Sequence, residues 1–200
     1  MRSKGVLFIC IVVLFLQFAC VVYAESANGY MTPDEFTSVY NRYADYFSNL
    51  QFAKDRDRSF PDVKIYQRNR RTGDMSNISY TILPESIVMD FVEYKEVRKG
   101  KILLIGLTYD LHDVTSTDRV NQKGDALGAI IAIACVTLGV PASSLDSLST
   151  KLNHVLGGSF KDLKHPYMEK IYNPLVHRNL ILRQEYNAKS GCFNFMIYYE

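Results

Sequence analysis

Residues 87–109 read IVMDFVEYKEVRKGKILLIGLTY. Ile87, Met89 and Phe91 alternate with Val88, Asp90 and Val92. A period of two is the mark of a strand with one covered face. After a charged interval, Lys99-Gly100 supplies a turn, and the β-rich run from Lys101 to Tyr109 follows at once. A connection this short leaves the second strand no choice but to pair antiparallel with the first. The same pattern extends upstream. Ile78 to Leu83 reads as a strand ahead of the Leu83-Pro84-Glu85 turn, and Val63 to Arg68 as a strand ahead of Thr72-Gly73-Asp74. Together these residues predict a four-stranded antiparallel meander.

Helices are expected on both sides of it. Thr32-Pro33-Asp34-Glu35 combines a capping threonine, a proline suited to the first helical position and a glutamate that completes a capping box. Phe36, Val39, Tyr40, Tyr43, Tyr46, Phe47 and Leu50 then recur at three–four spacing, which predicts a helix with one buried stripe to about Phe52. Tyr109 to Gly124 reads as a polar loop. Asp125 to Leu138 reads as a buried helix with no charge after its first residue, stopped by Gly139 and Pro141. Ser143-Ser144-Leu145-Asp146 opens a third helix that runs to Leu156, before Gly157-Gly158. Residues 159–176 read as irregular. Asn179 to Tyr186 and Cys192 to Tyr199 read as two strands around Lys189-Ser190-Gly191. The expected fold is α+β: an antiparallel sheet of about six strands, with about three helices packed mainly on one face.

The N-terminus has a different grammar. Arg2 and Lys4 precede an unbroken apolar run from Val6 to Leu16, and Val22 and Ala24 sit three and one residues before Glu25. Charge, apolar core and small residues in that order predict a secretory signal peptide over residues 1–24, leaving residues 25–200 as a single α+β domain. The implied location is secreted or periplasmic. An uncleaved anchor, or lipidation at Cys20, is the alternative. Without Arg2 and Lys4 the 23 basic residues of the chain fall level with its 21 acidic ones. A neutral domain exerts no general electrostatic pull on nucleic acid, and it meets a membrane only if the leader is retained.

Candidate sites are few. Arg68, Arg70 and Arg71 cluster near one turn, and Arg98, Lys99 and Lys101 near another, as basic groups that suit an anion or polysaccharide. Tyr40 and Tyr43, in a chain with 14 tyrosines and no tryptophan, suit a binding groove. Asp110, His112, Asp113 and Asp118 bring carboxylates and an imidazole into one loop, the donor types of a divalent metal site or a general base. Cys10 and Cys20 leave with the leader, so Cys135 and Cys192 remain as a disulfide candidate. Asn77-Ile78-Ser79 is a glycosylation sequon. His154, His165 and His177 are scattered. There is no phosphate-binding glycine loop, no His-Glu-x-x-His and no nucleophile elbow, so no cofactor is implied.

The run Thr32-Pro33-Asp34-Glu35-Phe36 with Tyr40-Asn41 resembles the opening of uncharacterised exported bacterial α+β proteins. That resemblance implies an α+β domain outside the cytoplasm and carries no catalytic residue with it. The sequence thus points to an exported, non-enzymatic binding or accessory protein whose partner is a protein or small ligand outside the cytosol. The alternatives are an inhibitor or immunity-type protein that blocks a partner, and a metal-dependent hydrolase using the Asp110–Asp118 loop.

Overall fold

Strand β4 (Ile102–Asp110) lies at the centre of a seven-stranded antiparallel sheet of order β1-β2-β3-β4-β7-β6-β5. A computed structural model describes residues 30–48, 63–65, 67–71, 78–83, 87–94, 98, 100–110, 117–141, 166–174 and 176–200. On one side of β4 is the expected meander: β1 (Gln67–Arg71), β2 (Ile78–Leu83) and β3 (Ile87–Glu93). On the other side are β5 (Tyr167–Asn173), β6 (Arg178–Asn187) and β7 (Cys192–Tyr199). The two halves join where β4 pairs with β7, Ile105 opposite Ile197 and Leu107 opposite Phe195.

The period of two sorts these residues by face. Ile87, Met89, Phe91, Ile105, Leu107, Phe193, Phe195, Ile197, Leu180 and Leu182 are all buried on one side. Helices α1 (Pro33–Ser48) and α2 (Thr117–Thr137) join that same core. Phe36 of α1 meets Phe91 edge-on, ring centroids 5.3 Å apart. Leu127, Ile130, Ile131 and Ala134 of α2 are buried with them.

The first helix begins as its sequence predicts. The Thr32 amide donates to the Glu35 carboxylate at 2.7 Å, and the Glu35 amide to the Thr32 hydroxyl at 3.2 Å. The reciprocal bonds satisfy two amides that the helix itself leaves unpaired, and they hold the Glu35 carboxyl below its ordinary range. The second helix ends in a Schellman motif. Gly139 takes a positive φ of 84°, its amide reaches Val136 O at 2.8 Å, and the Val140 amide reaches Cys135 O at 3.0 Å.

Four local expectations are corrected. Val63–Ile65 is not strand. Its backbone is held by α1 instead: the Tyr40 hydroxyl donates to Val63 O at 2.9 Å, while the Asn41 side chain donates to Ile65 O at 2.9 Å and accepts from its amide at 2.8 Å. β1 starts only at Gln67. Helix α2 begins at Thr117, inside the expected polar loop, because charged and amide residues propagate a helix well once a buried stripe anchors it. Tyr167–Asn173, expected to be irregular, is edge strand β5. Pro166 and Pro174 bracket it, which is where prolines are tolerated in a sheet. The described residues therefore hold seven strands and two helices. The third expected helix, at 143–156, lies outside the described residues.

Phe91 is fully buried between β4 and α1. Phe91→Ala is expected to lower unfolding stability by about 3–5 kcal/mol, the usual loss for an aromatic cavity in a close-packed core, as read by denaturant titration.

Candidate functional site

The side of the sheet away from α1 and α2 carries the alternate parity, and there Ile181, opposite Tyr198, is itself buried. Across the centre of this side the register sets Asp90 opposite Gly106, Gly106 opposite Met196, and Met196 opposite Arg183. Val88, Val92, Leu104, Met196 and Tyr198 share this face and are half-buried. Towards β5, Met168 is 59 % and Tyr172 55 % exposed. At the other end a β-bulge interrupts the β3–β4 ladder, with Glu93 opposite Ile102 and Val92 opposite Leu104. The extra residue, Leu103, is left 40 % exposed.

Asp90 is the chemically unusual member. Period two places it among valines, and Gly106 beside it has no side chain. A Cβ built on Gly106 would lie 3.9 Å from Asp90 Cβ, so the glycine leaves a notch about one methyl deep. Oδ1 of Asp90 is shielded from solvent and accepts no hydrogen bond among the described residues. Desolvation pushes its pKa up to about 6. The chemistry offered is a carboxylate on an apolar sheet face that gains from any donor brought to it.

The residues expected from sequence fall elsewhere. Tyr40 and Tyr43 are core rather than groove: Tyr40 is wholly buried, and its hydroxyl is engaged by Val63 O. Their three–four spacing is that of the buried stripe itself. Arg68, Arg70 and Arg71 all fall within edge strand β1. Asp110 ends β4 and Asp118 belongs to the first turn of α2, while residues 111–116 between them lie outside the described residues. His112, Asp113 and Asn77 lie outside the described residues. Among the described residues no three His, Cys, Asp or Glu side chains converge as a metal site would need.

The disulfide expectation is also corrected, since Cys135 and Cys192 are free thiols. Cys192 begins β7. Cys135 lies beside the opposite end of that strand, where the Tyr199 hydroxyl donates to Leu138 O at 2.5 Å. Roughly 20 Å of strand separates the two ends, against about 7 Å at most between bridged Cα atoms. Burial pushes the Cys135 thiol up to about 12, so it is an inert core group.

Sequence reasoning passed over Asp90. The one signal the sequence carries is a single acid in an apolar alternation, Val88, Asp90, Val92. With this geometry in place, comparison adds no relative: no family model, curated protein or solved structure matches the chain.

Because the folded pKa of Asp90 lies above its unfolded value near 3.8, the folded state binds its proton more tightly. Asp90 therefore lowers stability as pH rises through 4 to 6 and remains a cost at neutral pH. Asp90→Asn is expected to stabilise by about 1 kcal/mol at pH 7.5, after discounting for the screening that partial exposure brings. The gain should shrink towards zero below pH 4, as followed by thermal melts across that range.

Proposed function

We propose that this is an exported, non-enzymatic binding protein that recognises a protein partner through the open face of its sheet. The partner presents an arginine, lysine or amide side chain to Asp90, within apolar contacts to Val88, Leu104 and Met196. The observation that carries the reading is Asp90 itself. A half-buried carboxylate flanked by apolar side chains gives a partner both area and one directional, charge-assisted bond. Exposed Met168 and Tyr172 extend the same surface, and both residue types are common at interfaces.

Export is supported by the grammar of residues 1–24 and by the resemblance of the Thr32–Asn41 opening to exported proteins. Residues 1–24 lie outside the described residues, and among those described no helix is long and apolar enough to cross a membrane. A blocking role on another protein is the same surface put to inhibitory use. A metal-dependent hydrolase using the Asp110–Asp118 loop is the other alternative, and residues 111–116 of that loop lie outside the described residues.

The test uses residues 25–200 against the extracytoplasmic fraction of the producing cell, with cross-linking from a photoreactive residue at position 104. A saturable, one-to-one product is expected. Met196→Arg should abolish it and Lys189→Asp, in the β6–β7 turn, should leave it intact. Binding should also weaken several-fold as pH falls through 6 and Asp90 takes up its proton. A cross-link indifferent to Met196→Arg would remove the open face as the recognition surface.

A further inference from the structure

At the end of the sheet where β3 turns into β4, two arginines converge on one tyrosine. The guanidinium carbon of Arg98 lies 3.5 Å from the centroid of the Tyr30 ring and 5.8 Å from that of Tyr94. Tyr94 in turn meets Tyr30 edge-on at 6.0 Å. The guanidinium carbon of Arg178 lies 5.5 Å from the same Tyr30 centroid, and its Nη1 donates to the Tyr30 hydroxyl. Its Nε donates to Glu200 O and its Nη2 to Tyr199 O, each at 3.1 Å.

The hairpin that delivers Arg98 is tightly closed. The Tyr94 amide donates to Lys101 O and the Lys101 amide to Arg98 O, both at 2.9 Å, and Gly100 supplies the φ of 79° that the turn needs. Arg98 is exposed, and its side chain makes no hydrogen bond or ion pair among the described residues. A cation held over an aromatic ring engages the ring through its charge and leaves its N–H groups without an oxygen acceptor. The N–H edge of a guanidinium is the part that grips two oxygens of one anion.

Two acidic side chains near this corner are already paired. Glu35 is taken by Lys101 at 2.9 Å and by the Thr32 amide, and Glu200 by Lys170 at 2.5 Å. Glu93 is buried at the end of β3. Arg178 donates to backbone oxygens and a phenol, so no side-chain carboxylate neutralises it among the described residues. The two guanidinium groups sit around one aromatic ring, which holds both in place before any ligand arrives. A pre-fixed arginine loses little side-chain freedom on binding.

We propose that the Tyr30–Arg98–Arg178 corner is a binding site for a tetrahedral oxyanion, a phosphate or sulfate group. Arg98 clamps two of its oxygens and Arg178 supplies a second positive charge beneath. The site lies at the end of the inner strands, distinct from the Asp90 face, and needs no partner protein.

The experiment follows backbone amide and arginine Nε resonances of residues 25–200 during titration with inorganic phosphate, sulfate and glycerol 3-phosphate. Ionic strength is held constant with chloride. Saturable shifts at Arg98, Gly100, Lys101 and Tyr30 are expected, at anion concentrations no higher than tens of millimolar. Tighter binding of the ester identifies an esterified ligand, and equal binding a free anion. Arg98→Ala, an exposed substitution, should weaken binding at least tenfold, and Arg98→Lys nearly as much because an ammonium lacks the two-pronged edge. Arg183→Ala, on the open face, should change nothing. Shifts that chloride alone reproduces, shifts that survive Arg98→Ala, or no saturation with any of the three anions would each overturn the site. Met196→Arg should leave phosphate binding unchanged, which keeps this result separate from that of the open face.

Discussion

The pairing of β4 with β7 is the constraint on which the molecule depends. These strands come from distant parts of the chain, and no hairpin turn sets their alignment. What fixes it is the demand that Ile105 face Ile197 and Leu107 face Phe195 on the side the helices cover. A slip of one residue would expose that row and bury the alternate one, so the register is as strongly specified as the core is apolar. The same alignment carries Phe91 opposite Ile105 and Leu182 opposite Ile197, which completes an apolar row across four strands. On the reverse side it lines up Asp90, Gly106, Met196 and Arg183. The make-up of the reverse face is therefore a consequence of how the core is satisfied.

The helices are tied to this sheet at their ends. Just before α1, Met31 O accepts the Ile102 amide at 2.7 Å, which joins the helix start to the first residue of β4. Just after α2, Leu138 O accepts from Tyr199 and Asn173, which joins the helix stop to β7 and β5. Asn173 also donates to the Tyr199 hydroxyl at 2.8 Å. Each of these backbone groups would otherwise be buried without a partner, at a cost of about 1–3 kcal/mol apiece. The Tyr30 corner forms at this same end, where the start of the described chain meets its last strand.

Local chemistry was legible in the sequence, and long-range partnership was not. The Thr32–Glu35 capping box, the Gly139 stop and the strand from Cys192 to Tyr199 are set by neighbours in sequence, and each is found where the pattern placed it. Val63 and Ile65 looked like strand because they are β-branched and apolar. Their backbone found Tyr40 and Asn41 of α1 in place of a neighbouring strand, a choice no short window records. Strand β5 was hidden by its prolines and by a mixed pattern, since an edge strand covers only part of one face. Tyr40 and Tyr43 looked like recognition residues because tyrosine serves both cores and surfaces, and composition does not distinguish them. Arg178 gave no signal at all. Its role depends on Tyr30, Tyr199 and Glu200, which only the closed sheet brings to it.

One-sidedness of the sheet is the central claim, and cysteine scanning along β7 tests it most directly. In a background with Cys135→Ala and Cys192→Ser, single cysteines are placed in turn at positions 193 to 198 and reacted with a water-soluble maleimide under native conditions. The register requires faster labelling at the half-buried 194, 196 and 198 than at the buried 193, 195 and 197, whose protection is lost only on unfolding. Uniform labelling along the strand, or protection on the even positions, would contradict the account.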